Sequence, residues 1–153
     1  MIVISIPVKN HVKKYLIKRY GPVHQVSKKT FIGLFLLQLL EKKIEKPDKE
    51  PGKGSFYELE VPEYYFNKNG YSIDSNKLKF LSVCLERLFI EDFNSFVDHE
   101  LLKGDLSARK AIKLFFCIYE LSENDLNLDS MYRNYQRYSG ENIKTKKKHL
   151  VKI

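Results

Sequence analysis

The 153-residue chain predicts an α+β fold dominated by helices: a small two-stranded antiparallel element, about five helices, and a C-terminal pair with the outline of a helix-turn-helix. Three observations carry this. Two short runs, residues 1–8 and 55–61, alternate apolar and polar side chains; residues 75–102 repeat apolar side chains at helical spacing; and Gly, Pro and Ser stand at the joints between the periodic segments. With 43% hydrophobic and 30% charged residues, the chain can bury a real core. One globular domain is expected over residues 1–139, with a basic, flexible tail over 140–153.

In chain order, Ile2, Ile4 and Ile6 alternate with Val3 and Ser5 as in a strand, and Pro7 ends the run or holds it at a sheet edge. No signal peptide is read here, because the charges follow the apolar run instead of preceding it. Residues 9–20 place Val12, Tyr15, Leu16 and Tyr20 at helical spacing before Gly21 and Pro22. Ser27 is the expected N-cap of a helix reaching about Glu45, whose centre FIGLFLLQLL is apolar on every side. Such a helix is expected in the core, since it is too short to span a bilayer. Residues 46–54 read as a loop. Tyr57, Leu59 and Val61 then alternate with Glu58 and Glu60, a strand able to pair with the first.

Residues 62–69 are read as a short helix stopped by Gly70, although Asn69 and Gly70 also fit a hairpin turn. Asp74 or Ser75 caps a long helix to about Leu102, Gly104 ends it, Ser107 starts another through Tyr119, and a last helix covers 129–139.

Charge divides the chain. Residues 1–40 hold seven basic groups and no acid, residues 131–153 seven basic groups against Glu141, and the middle 13 basic against 18 acidic, for a net +8 overall. Basic ends brought together would suit a phosphate backbone, whereas a scattered Lys-rich surface would serve solubility. The candidate contacts are Lys9, Lys13, Lys14, Lys18 and Arg19 on the first helix, and Lys144, Lys146, Lys147 and Lys148 in the tail.

Residues 106–139 carry the sharper candidate. Met131, Tyr135 and Tyr138 share one face of the last helix and are expected to pack on Ile112, Phe115 and Phe116. Arg133, Asn134, Gln136 and Arg137 then point elsewhere. Arg and Gln can read base edges, and Tyr132 can bond a phosphate. Tyr15, Tyr20, Tyr132, Tyr135 and Tyr138, each near basic residues, are secondary candidates for stacking on unpaired bases, although most of these rings are expected to be core or half-buried.

Other chemistry has little support. His11, His24, His99 and His149 form no metal-ligand spacing; Asp98 and His99 read as a surface pair; and Cys84 and Cys117 read as buried small hydrophobes, too few for a disulfide scaffold. With no phosphate-cradling Gly loop or nucleophile elbow, no enzyme, cofactor or small-molecule substrate is expected.

The segments SIPVKNHVKKYLIKRYG (5–21), YELEVPEYYFNKNG (57–70) and LDSMYRNYQRY (128–138) resemble short proteins, of no established activity, carried by phages and integrating elements of anaerobic gut bacteria. The resemblance implies a mobile-element setting and a cytoplasmic location, where small basic proteins often serve as DNA-binding accessories or regulators. The expected function is thus non-catalytic DNA binding, with DNA favoured over RNA and no membrane partner. The competing expectation is a protein-interaction or virion-assembly component whose basic ends dock on an acidic partner; an exposed apolar patch over residues 89–97 would favour it.

Overall fold

The computed structural model describes residues 1–43 and 54–151. In chain order its elements are β1 (Ile2–Pro7), α1 (Asn10–Tyr20), β2 (Val23–Gln25), α2 (Phe31–Leu39), β3 (Phe56–Val61), α3 (Glu63–Asn69), α4 (Ser75–Leu102), α5 (Ala108–Ile118) and α6 (Leu128–Val151). The fold is mainly helical with a small sheet. Two compact units divide it, Met1–Phe89 and Ile90–Ile153.

In the first unit the sheet has three strands rather than two, in the order β1-β3-β2. β1 runs antiparallel to β3, with Ile4 opposite Leu59 and Ile6 opposite Tyr57. The added strand β2 lies parallel to β3, with His24 opposite Leu59. Three residues following Pro22 are too few to show a period, so only their pairing with β3 reveals the strand. Tyr57, Leu59 and Val61 are buried, as are Ile4 and Ile6. The Tyr57 hydroxyl donates to the Gly21 carbonyl at 2.8 Å, and burial pushes its pKa up to about 12.

α1 faces inward with His11, Val12, Tyr15 and Leu16. The Tyr15 and His11 rings meet Phe89 of α4 at 5.4 and 4.9 Å. Truncating a ring so placed costs about 3–5 kcal/mol. α3 is the short helix expected at this position.

α2 departs from expectation at both ends. Ser27 instead accepts from the Lys29 backbone N–H at 3.3 Å, a local turn. Thr30 caps the helix by accepting from Gly33 at 3.2 Å. At the far end Leu40 is extended and Glu41 bridges Ser72, while Asn69 Nδ2 donates to the Leu37 carbonyl. Residues 46–53 of the expected loop, and Glu45, the expected helix end, lie outside the described residues.

α2 is also not buried all round. Ile32, Leu36 and Leu37 are buried, but Phe31 is 64% and Leu34 44% exposed. A helix that packs on one side only must show its other side to solvent, however apolar its sequence.

In the second unit, Gly104 stops α4 at φ 79, a backbone conformation that disfavours side chains. Ser107 caps α5 as expected, accepting from Lys110 N–H at 3.4 Å. α5 turns Ala111, Ile112, Phe115 and Phe116 inward, and Phe93 meets Phe115 edge-on at 5.2 Å. Cys117 therefore falls off the buried face and is exposed, and Cys84 is half-buried, contrary to the buried setting expected for both.

α5 packs against α6 across residues 119–127, a longer connection than the three- or four-residue turn of DNA-reading helix pairs. Asn127 accepts from Ser130 N–H at 2.9 Å to cap α6. The helix passes its expected end near Ser139 and continues to Val151. Gly140 has no positive φ to break it, and the Lys-rich sequence that follows contains no Pro and suits the negative end of a helix dipole.

Candidate nucleic-acid interface

α6 sets the C-terminal candidates. Met131 and Tyr135 are buried with Ile112, Phe115 and Phe116, as the periodicity predicts. Tyr135 Oη donates to Asp98 Oδ1 at 2.5 Å and Tyr138 Oη to Asp98 Oδ2 at 3.0 Å. Asp98 is thus not a surface partner of His99 but an acceptor for two phenols of α6, a role no local pattern on α4 announces. Burial, then the bond to Asp98, pushes the Tyr135 pKa well above its usual value.

With that stripe turned inward, Arg133, Asn134, Gln136 and Arg137 are exposed, and so are Lys144 and Lys148. At 100° per residue, Arg133, Arg137, Lys144 and Lys148 fall within about 60° of one another along about 22 Å of axis. Glu141 interrupts the row. Lys146 and Lys147 belong to α6, but their side chains lie outside the described residues.

Tyr132 is half-buried beneath Arg109, whose guanidinium sits 4.6 Å from its ring centre. Arg109 in turn bonds Asp129 at 2.9 Å.

The N-terminal candidates belong to the other compact unit. Lys9 precedes α1 and pairs with Glu86 at 2.9 Å. Lys13 and Lys14 are half-buried; Lys18 and Arg19 are exposed in the last turn, where positive charge complements the helix dipole. Arg19 donates to the Tyr15 hydroxyl at 2.6 Å and covers the Tyr20 ring at 5.3 Å.

These placements match the core or half-buried setting expected for most of these tyrosines. Tyr15 and Tyr135 are buried, Tyr138 is held by Asp98, and the Tyr20 and Tyr132 rings each have a guanidinium over them.

An open cavity of about 460 Å³ between α4 and α5 is lined in part by Asp92, Asp98, His99 and Phe115. Both Asp98 oxygens already accept from phenols, so this carboxylate is committed to holding α6. Among the described residues no group of three or more His, Cys, Asp or Glu is placed to hold a metal ion. None of the described helices is long and apolar enough to cross a membrane.

No protein-family profile matches the chain, and no curated protein or solved structure is detectably similar to it.

Proposed function

We propose that this protein is a non-catalytic DNA-binding accessory or regulator of a phage or mobile element, acting in the cytoplasm. In this reading α6 is the nucleic-acid-facing helix of a helix-turn-helix-like pair with a lengthened turn, and α5 is its support. The observation that carries it is the division of α6 into two faces. Met131, Tyr135 and Tyr138 hold the helix to its unit, while Arg133, Gln136 and Arg137 face solvent with Lys144 and Lys148 along the same helix. Phosphates take the lysines and a share of the arginines; base edges take Arg133, Gln136 or Arg137. Lys18 and Arg19 supply further phosphate contacts.

The test is fluorescence anisotropy of labelled duplex DNA across a salt series, with wild type and the Lys144→Ala/Lys148→Ala double variant. Two lost phosphate contacts lower the slope of log affinity against log salt by about 1.8. Arg133→Ala alone changes preference among duplex sequences, while Lys18→Ala weakens all of them alike. Failure of the wild type to bind at low salt, or an unchanged slope in the double variant, overturns the reading.

The competing reading asked for an exposed apolar patch over residues 89–97. Phe89, Phe93 and Val97 are all buried there.

A further inference from the structure

The largest departure from expectation in the first unit is the outward face of α2 and the adjoining start of α4. Phe31 is 64%, Leu34 44%, Phe80 55% and Val83 60% exposed. They adjoin one another: Phe31 stacks on Phe35 at 5.9 Å with planes 7° apart, and Phe35 meets Phe80 at 6.0 Å. Leu34 follows Phe31 by three positions, and Val83 follows Phe80 by three, so each flanks its ring on the same helix.

Four cations flank this face along the chain. Lys28 and Lys29 precede α2, Lys79 neighbours Phe80, and Arg87 lies one turn beyond Val83; all four are exposed. Two carboxylates of the same segments are engaged, Glu41 by Lys77 and Glu86 by Lys9, and Glu91 stands one turn beyond Arg87. A second copy docking here about a two-fold axis would set these cations against themselves. An anionic occupant with flat apolar surface fits instead.

We propose that this face binds single-stranded nucleic acid, its bases stacking on Phe31 and Phe80 while Lys28, Lys29, Lys79 and Arg87 hold the backbone. Phe31 and Phe80, each about 6 Å from the half-buried Phe35 between them, offer two exposed platforms, and aromatic platforms with a basic border are the general design of single-strand binding. The site lies in Met1–Phe89, whereas α6 lies in Ile90–Ile153, so it goes beyond the duplex-reading proposal and does not rest on it.

The probe is a fluorescein-labelled 20-nucleotide oligo(dT), titrated with the full chain by anisotropy, alongside a duplex of equal length. Phe31→Ala and Phe80→Ala should each weaken oligo(dT) binding roughly five- to 150-fold and leave duplex binding unchanged. Because both rings are largely exposed, the variants should melt with the wild type by circular dichroism. Lys28→Gln/Lys29→Gln should flatten the salt dependence for oligo(dT) by a slope of about 1.4. The Lys144→Ala/Lys148→Ala variant, which tests α6, should show the converse pattern. Absence of oligo(dT) binding by the wild type, or equal binding by the Phe variants, overturns the proposal. So does loss, in those variants, of co-sedimentation with vesicles containing phosphatidylglycerol while oligo(dT) binding stays intact, which would assign the face to an anionic lipid surface.

Discussion

Asp98 offers the sharpest structural test, because one carboxylate accepts from two hydroxyls of α6. Replacing it with Ala removes both charge-assisted bonds and leaves the buried Tyr135 hydroxyl without its acceptor. A hydrogen bond to a charged group contributes about 1.5–3 kcal/mol. Asp98 is half-buried, so solvent screening places each bond at or below the low end of that range. The pair then amounts to about 2–3 kcal/mol. For a chain of this size each kcal/mol moves the melting midpoint by about 2–4 °C, so Asp98→Ala should melt roughly 4–12 °C lower. Tyr135→Phe, which removes one bond and keeps the ring, should fall by about half as much, and the double variant should be little worse than Asp98→Ala. Thermal unfolding followed by far-ultraviolet circular dichroism measures all three. The pH dependence adds a second signature. An unfolded tyrosine ionises near pH 10 whereas folded Tyr135 holds its proton higher, so its stabilisation is complete below pH 10 and is lost as pH rises further. Tyr135→Phe should lack that alkaline loss. Single variants within 0.5 kcal/mol of wild type, or strict additivity in the double variant, would refute the account of Asp98 as the anchor of α6.

Two further outcomes concern the first unit. His24 is buried against Thr30 at 2.9 Å and burial lowers its pKa below 6.5. The unfolded chain therefore takes the proton first, so this contribution is complete above pH 6.5 and is lost as pH falls toward the folded value. His24→Gln should flatten the decline in melting temperature between pH 7 and 5; an unchanged slope would contradict it. Gly70 has φ 127, and a Cβ there would strike the Glu41 backbone. Gly70→Ala should consequently cost roughly 3 kcal/mol or more, read as a lower urea midpoint, and a midpoint equal to wild type would show that the α2–α3 junction yields easily.

Residues that act on their immediate neighbours were the most legible in the sequence. Ser107 caps its helix, Gly104 stops the one before, and Met131 and Tyr135 turn inward at the spacing their helix requires. What depended on distant partners was hidden. β2 becomes a strand only because β3 lies beside it, and Asp98 is a key acceptor only because α6 brings two hydroxyls to it. The apolar centre of α2 misled for a related reason: composition records how much of a helix is apolar, not how many sides the fold covers. The placement of Arg133, Gln136 and Arg137 on the outer face follows from periodicity, while nothing in the sequence marks Phe31 and Phe80, because exposed phenylalanine is written like buried phenylalanine.

The order of strands in the sheet has a consequence for synthesis. β3 is the central strand, and both its neighbours precede it in the chain. During translation β1 and β2 leave the ribosome with nothing to pair against until residues 56–61 emerge. At about 5–20 residues per second, the stretch from Gln25 to Phe56 leaves them waiting for about 2–6 s. Throughout that interval an isoleucine-rich edge and the apolar α2 segment are available to chaperones or to other nascent chains. A stalled chain ending before Val61 should remain protease-sensitive, and one extended past Phe89 should not, so the protein's first folding decision is made by the strand that arrives last in its sheet.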